Sequence, residues 1–588
     1  MKTIFNFLLF SLLGFSLFAQ NGDKGVLPNY PTLKELHTPY ETFEEENVSA
    51  APLPKNLRSM AEWEELQGLT IAWQGTTGHK VILAQITKAA RLETNVIILC
   101  NDSTVMKACE SVLTSQNVDY SSNVTFVLRP TDSIWIRDYG ANPVYQNDVD
   151  TLGLVDWIYN RNRPNDNTSP IAVAKYLQTP YYQTITKPDD LVHTGGNFMS
   201  DGLGNAFSSK LVLEENTPAG VIKVSTKTEG QIDSIMQKYM GINRYTKMDV
   251  LPYDAIHHID MHMKLLDEET LLMAEYPKDV ADGPQIEANL QYVLNNFKTP
   301  YGKPYKVVRI LSPPDATGKY PDTKGQYRTY SNMVFVNKTV IVPFYETKYD
   351  TTAQKILEKA MPGYKIVGVN CNSIIGSLGA IHCITKEIGV KEPLWITHEK
   401  KTDIADYNGQ KIPVSARVQH IKGIKNAKIW YKISTEQTFQ SFDLTENGNT
   451  WSGNFSNLPN NSVIQYYIES EAKNGKKITR PITAPKGFYS FKLSNGISQT
   501  IDLQLNNLKI YPNPARAITC IEFENPNKGE LNISIFDVLG KKINTIHQGE
   551  AEQGLQHFFF NAADYVKGFY FIKIKNKDGE VVRKVVVE

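Results

Sequence analysis

The chain has 588 residues, 41% apolar and 21% charged, and its 62 basic and 62 acidic side chains leave no formal net charge. That length exceeds one hydrophobic core, so several domains are expected. Neutrality removes the electrostatic basis for binding nucleic acid or an anionic membrane surface, and the composition is that of a globular chain.

The first twenty residues, MKTIFNFLLFSLLGFSLFAQ, place Lys2 ahead of an apolar run from Ile4 to Phe18 and Ala19 after it. This predicts a secretory signal peptide, residues 1–19, cut near Ala19. The run is shorter than the roughly 20 residues a spanning helix needs, so no transmembrane segment is expected in the mature chain. Residues 20–52 are polar, carry prolines and the run Glu44-Glu45-Glu46, and are expected to form a leader or loose arm.

From residue 53 to 394 short apolar runs alternate with helical stretches, as in LTIAW then HKVILAQITKAARLE. That alternation predicts an α/β domain. Polar or glycine-rich stations recur near Trp73, Asp138, Gly196, Asp260, Asn332 and Cys383. Their spacing of roughly 50–75 residues suggests repeated units meeting around one centre.

Four stations carry chemistry-bearing groups. SIWIRDYG puts Asp138 after an apolar run, HTGGNFMSDG is a glycine-dense turn, and GAIHCITKEIG puts Cys383 before an expected helix start. The fourth is HHIDMHMK, His257–Lys264. With period two, His258, Asp260, His262 and Lys264 fall on one side and His257, Ile259, Met261 and Met263 on the other, which predicts a strand. The pattern disfavours a helical HxxxH zinc site, which would also lack the glutamate of HExxH. His257 is left a packing role and His262 none. Cysteines are five and odd in number, Cys100, Cys109, Cys371, Cys383 and Cys520, so at least one thiol stays unpaired.

Residues 395–492 are strand-rich, with the turn pair Asn474-Gly475, and suggest an immunoglobulin-like β-sandwich. Residues 493–505 are a polar linker, and residues 506–588 are again β. In that last part YPNP (Tyr511–Pro514), IFDVLGKKI (Ile535–Ile543) and GFYFIKI (Gly568–Ile574), with Arg583-Lys584 near the end, resemble the C-terminal sorting domain of type IX secretion cargo. The resemblance implies export through the periplasm by the type IX machinery, to the cell surface or the medium.

The stations together suit one reaction. A guanidinium stays charged at physiological pH, and holding it out of water needs carboxylates that accept its fork of donors. Asp138 and Asp260 can serve, one on each side, at about 1.5–3 kcal/mol per charge-assisted hydrogen bond. A Cys383 thiolate can attack the central carbon, and His258 can protonate the leaving ammonia and then deprotonate water. No metal or other cofactor is required, and no calcium-loop pattern occurs.

WIRDYG, HTGG, HIDM and HCIT, in that order, resemble the signatures of the guanidino-group-modifying superfamily, and MAEWEELQGLTIAW (Met60–Trp73) resembles the start of its agmatine deiminase-like members. The resemblance covers roughly residues 55–390. It implies a five-bladed α/β propeller (pentein), followed here by two β-sandwich domains. It implies that Cys383, His258, Asp260 and Asp138 are catalytic, that Trp135 packs on the substrate and that Asn332, in YSNMVFVN, sits at a strand position lining the same centre. DWIYNRNRPNDN, Asp156–Asn167, is similar to the segment with which porphyromonad-type peptidylarginine deiminases hold the C-terminal carboxylate of a peptide, which makes Arg161 and Arg163 the clamp. The expected activity is hydrolysis of peptidyl-arginine, preferably C-terminal, to citrulline and ammonia through a thiouronium on cysteine. The alternatives are an exported agmatine deiminase, an amidinotransferase, and a surface binding protein with a decayed site. One departure stands out: Thr194 occupies a position that is usually Glu in agmatine and free-arginine deiminases, so His258 lacks its usual acidic partner.

Overall fold

The computed structural model describes residues 26–38, 52–494 and 505–588 except 539 and 578. The expected signal peptide and nearly all of the expected linker lie outside the described residues. The chain forms two compact units: Met1–Lys401 with Pro413–Phe455 and Gln465–Ser490, and Thr402–Ile412 with Ser456–Ile464 and Phe491–Glu588.

Residues 57–389 build five small sheets from one recurring set of parts. An antiparallel hairpin is followed by a helix, and the helix returns the chain to a third strand parallel to the hairpin's second. Parallel neighbours require such a crossover. One sheet pairs Asn142–Gln146 with Leu152–Asp156, crosses over through helix Pro164–Leu177 and adds Tyr181–Gln183, with Leu57–Ser59 at its edge. The next runs Met199–Ser200, Asn205–Ser209, helix Glu229–Met240 and Arg244–Met248. The third runs Met263–Asp267, Thr270–Glu275, helix Gly283–Asn296 and Lys306–Leu311. The fourth runs Val334–Val336, Thr339–Phe344, helix Thr347–Ala360 and Lys365–Asn370. The last joins the two ends of this region. Lys386–Gly389 pairs antiparallel with Leu66–Ala72, and helix Thr77–Ala90 leads to the parallel strand Asn95–Cys100; helix Ser103–Ser115 then adds Val124–Leu128.

Local sequence explains these boundaries. Asp102 opens its helix by accepting hydrogen bonds from the amides of Thr104 and Val105, which satisfies donors with no intrahelical partner. Thr228 and Gln231 form a capping box. Gly241 ends that helix at φ +67°, where a β-carbon would lie 1.8 Å from the Leu57 carbonyl oxygen, so only glycine fits. Central strands such as Asn95–Cys100 are buried on both faces, as their unbroken apolar run requires. The suggested repetition of the stations is thus physical.

Two local expectations are corrected. His257–His262 is not strand. His257 has φ +58°, and residues Ile259–Met261 form a 3-10 turn, so a strand begins only at Met263. The polar residues alternate there because a tight turn, not a pleat, presents them. The leader is also not a loose arm where it is described. Leu33–His37 is a helix with a Thr32/Glu35 capping box, and Asn29 is fully buried.

After residue 394 the described residues form strands and no α-helix. One sheet orders Trp395–Thr397, Ile412–Gln419, Thr450–Phe455 and Thr445–Asn447. Another orders Gln440–Asp443, Ile424–Ile433, Val463–Ala472 and Lys477–Arg480. Further on, Asn506–Tyr511, Ile518–Asn525 and Gly554–Asn561 form one sheet, and Lys542–Ala551, Gly529–Phe536, Gly568–Asn576 and Gly579–Val587 form another. Ile521, Phe523, Ile533, Ile535, Ile572 and Val585 belong to one apolar core there. No helix of the described residues is long and apolar enough to cross a membrane.

Candidate active site

The candidate residues occupy one recurring position, the turn that feeds the first strand of each hairpin. Asp138 lies on the one-turn helix Ile136–Tyr139, Gly196 on the 3-10 turn Gly195–Asn197, and Asp260 on the 3-10 turn capped by His258. Asn332 and Cys383 stand in the turns before Val334–Val336 and Lys386–Gly389. Asn332 is therefore not on a strand. Cys383 leads into a strand, so no helix N-terminus supports its thiolate.

These turns bring the side chains together. The Cys383 sulfur lies 3.5 Å from Asp260 Oδ2 and receives a 3.1 Å hydrogen bond from Asn332 Nδ2. His258 Nδ1 is 3.4 Å from Asp138 Oδ1, and its Nε2 is 3.1 Å from the Thr194 hydroxyl. The Gly196 amide donates to Asp138 Oδ1 at 3.1 Å. A β-carbon on Gly196 would lie 2.6 Å from His258 Nδ1, 2.8 Å from Asp138 Oδ1 and 3.2 Å from Asp260 Oδ2. The glycine is thus the space into which three functional groups converge. A β-carbon on Gly379 would lie 2.4 Å from the Trp135 ring and 3.1 Å from the Cys383 sulfur, which brings that ring to the thiol.

A second layer holds the first. The His382 ring joins Asp260 Oδ2 at 2.8 Å to the Glu62 carboxylate at 3.1 and 3.2 Å, and Glu62 also pairs with Lys264. Asn332 Oδ1 accepts from the His382 amide at 3.0 Å. Arg137 pairs with Glu387 through two hydrogen bonds of 2.9 and 2.5 Å, and its amide donates to the Cys383 carbonyl at 3.1 Å. His382 and Glu62 were missed as site residues. Both sit inside quoted motifs, HCIT and MAEWEEL, yet no spacing marks them. Lys264 lies on the face that the alternation singled out.

The electrostatics are those of a pocket built for a cation. Burial, then the neighbouring Asp260 carboxylate, pushes Asp138 up to about 7. Burial also pushes Asp260 up, but the hydrogen bond and charge of His382 outweigh it and hold that carboxyl below its ordinary value. Burial drives His258 down to about 3, so the ring is neutral. Burial, then Asp260 and Asp138, raise the Cys383 thiol well above its ordinary value. Asp138 Oδ2 and Asp260 Oδ1 are buried acceptors without a hydrogen-bond partner. Buried acceptors are ordinarily satisfied, and a guanidinium satisfies two at once while cancelling the repulsion that keeps the thiol protonated. No cluster among the described residues has the make-up of a metal site. His262 is buried with both ring nitrogens unpartnered and is depressed to about 4 by burial; nothing in the structure gives it a role.

Arg161 and Arg163 are both buried, and both engage the leader. Arg161 Nε donates to the Asn29 carbonyl at 3.0 Å. Arg163 pairs with Glu35 at 2.6 Å and donates to the Pro28 carbonyl at 2.7 Å. Trp135 Nε1 donates to the Leu27 carbonyl at 2.9 Å.

Comparison with known proteins places this architecture. A Legionella pneumophila protein named "Putative agmatine deiminase" is 23% identical over 361 residues, 58% of this chain and 97% of its own. A crystal structure of a protein described as a putative agmatine deiminase shares the fold at 20% identity, with a TM-score of 0.50 over 57% of this chain and 96% of its own. The agmatine deiminase of Enterococcus faecalis is 19% identical, covering 58% and 98%, with a TM-score of 0.49. Residues 509–588 match the secretion system C-terminal sorting domain. Residues 58–388, more than half of the chain, match the Porphyromonas-type peptidyl-arginine deiminase profile, and the protein belongs to that family of guanidino-modifying deiminases.

Proposed function

We propose that the protein is an exported hydrolase that converts arginine at the C-terminus of peptides to citrulline and ammonia. The observation that carries this is the pair of unpartnered buried carboxylate oxygens, Asp138 Oδ2 and Asp260 Oδ1, beside a thiol and a neutral imidazole. In the proposed sequence the guanidinium sits between the two carboxylates with Trp135 packed on it. The Cys383 sulfur bonds to the central carbon, and the thiol proton passes through His258 to an amino group. That carbon–nitrogen bond breaks and ammonia leaves, giving a thiouronium. Water then gives a proton to His258 and adds to the same carbon. The carbon–sulfur bond breaks, the sulfur regains a proton, and the ureido product departs. The net change is guanidinium plus water to ureido plus ammonium.

Arg161 and Arg163 support the preference for a C-terminal carboxylate, since two guanidinium groups are what such a pocket requires. Their side chains already donate to a carboxylate and a carbonyl. An agmatine substrate, the second reading, has no use for them. That reading is favoured by the agmatine deiminase names of the relatives. The five ββαβ sheets support a five-bladed propeller, and the strand-rich remainder supports two β-sandwich domains. The sorting domain ties the protein to the type IX secretion machinery, with the cell surface or medium as destination. A citrulline and ammonia assay on agmatine, free arginine, and peptides with internal or terminal arginine tests the reading. Highest kcat/KM on terminal-arginine peptides is expected, and turnover of agmatine alone would defeat it.

A further inference from the structure

The two arginines, the substrate-packing tryptophan and the turn before the nucleophile are all engaged by one short stretch of leader. Pro28 and Asn29 give carbonyl oxygens to Arg163 and Arg161, Leu27 gives one to Trp135, and Glu35 gives Arg163 its carboxylate. Asn29 is also bound through its own donors. Its amide donates to the Ser377 carbonyl at 3.0 Å and its side chain to the Leu378 carbonyl at 3.1 Å. Those two residues immediately precede Gly379, the glycine packed on Cys383 and Trp135. Asn162 Nδ2, between the two arginines, donates to the Thr38 carbonyl at 3.2 Å. Trp135 and Cys383 both have 0% exposure, so a substrate has no access to either in this arrangement.

The chemistry of these contacts is that of a bound peptide. Every leader group that meets Arg161, Arg163 or Trp135 is an acceptor, either a main-chain carbonyl or a carboxylate. Those are the groups a peptide with a free C-terminus would offer to the same donors. Glu35 is prepared for this by its own cap: its Oε2 accepts from the Thr32 amide and hydroxyl, both at 2.7 Å, while Arg163 donates to Oε1 at 2.6 Å and to Oε2 at 3.4 Å. A tethered ligand also competes at an effective concentration that does not fall as the enzyme is diluted, whereas a free peptide competes only at its concentration in solution.

We propose that residues 26–38 are an intramolecular ligand that occupies the peptide subsite and keeps the enzyme latent until the leader is released. This rests on the peptide-arginine reading, in which Arg161 and Arg163 face the substrate carboxylate. The glutamate–arginine pair is the main latch, and the Asn29 contacts register the segment over the turn before the nucleophile. Release exposes Trp135 and Cys383 together and frees both arginines.

The test uses the full chain in three forms: unaltered, Glu35→Ala and Asn29→Ala. Two quantities are read: KM for a peptide ending in arginine, and the rate at which iodoacetamide alkylates Cys383, located by peptide mass spectrometry. Loss of the charged hydrogen-bonded pair in Glu35→Ala should change each by about tenfold to a hundredfold, and loss of one neutral hydrogen bond in Asn29→Ala by about twofold to tenfold, with KM falling and alkylation quickening. A synthetic peptide of residues 26–38 added to Glu35→Ala should restore slow alkylation, and the same peptide with Glu35→Ala should not. This last comparison leaves the folded variant unchanged, so it separates occupancy from any effect on stability. Equal KM and equal alkylation in all three forms would overturn the occlusion and leave the substrate reading intact. Faster alkylation without citrulline from any peptide would uphold the occlusion and remove the substrate reading.

Discussion

Gly196→Ala is the sharpest perturbation of the site because it adds one methyl group and removes no functional group. The new carbon would stand 2.6 Å from His258 Nδ1 and 2.8 Å from Asp138 Oδ1, where ordinary contact begins at 3.4 Å. The imidazole must therefore retreat by about 0.8 Å and the carboxylate by about 0.6 Å, or the turn must shift by as much. Both neighbours are buried and cannot swing into solvent. A misplacement of about 1 Å costs on the order of a hundredfold in rate, or about 2.7 kcal/mol of transition-state stabilisation. Overpacking also destabilises, typically by about 1–3 kcal/mol. The assay is kcat/KM for citrulline formation beside a thermal melt. Gly230→Ala serves as the control: nothing lies within 4 Å of its added carbon, and helical alanine should add about 0.5–1 kcal/mol of stability. Activity of Gly196→Ala within threefold of the unaltered enzyme would refute the convergence of the three groups on this glycine.

Further outcomes follow from the same geometry. Asp138 has a carboxyl near 7 in the folded chain against about 3.9 unfolded, so the native state holds its proton more tightly. Its buried carboxylate therefore lowers stability progressively from about pH 4 to 7, and not below. Asp138→Asn should raise Tm at pH 8, by an amount on the order of a few kcal/mol in stability, leave Tm at pH 4 unchanged, and abolish turnover. A variant that melts lower at pH 8 would contradict this. The same group predicts that kcat/KM in the unaltered enzyme rises with pH through about 7. His382→Gln should lower kcat/KM by about tenfold or more, because Asp260 loses the hydrogen-bond partner that holds its carboxyl down. Activity within threefold of the unaltered enzyme would make His382 a packing residue only. Replacing both Arg161 and Arg163 by alanine should lower the ratio of kcat/KM for terminal-arginine peptides to that for agmatine by about a hundredfold, a ratio that release of the leader leaves unchanged, as steady-state kinetics on the two substrates would tell.

Much of the fold was legible because its signals are local. Apolar runs such as LTIAW and the recurrence of polar stations each reflect a short-range physical demand. The site was legible as a set of residues: the structure brings Asp138, His258, Asp260, Asn332 and Cys383 together. Its local geometry was not. HHIDMHMK alternates like a strand, yet only His258 has extended backbone before the 3-10 turn Ile259–Met261 begins. An alternation of eight residues does not show where extended backbone gives way to a turn. His382 and Glu62 escaped because their partners lie 122 and 320 residues away in sequence, a pairing that only the assembled sheets create. The leader misled for another reason. Its composition is polar, and polar segments default to solvent, but here the acceptors are matched one by one to buried donors.

The most direct test of covalent catalysis at Cys383 is the intact mass of the enzyme quenched in acid during turnover of a terminal-arginine peptide. The mechanism predicts a transient species heavier by the peptide less one ammonia. It should be localised to Cys383 on digestion, and be absent from Cys383→Ala, which should also form no citrulline. Citrulline formation by Cys383→Ala, or an adduct on any of the other four cysteines, would contradict the mechanism.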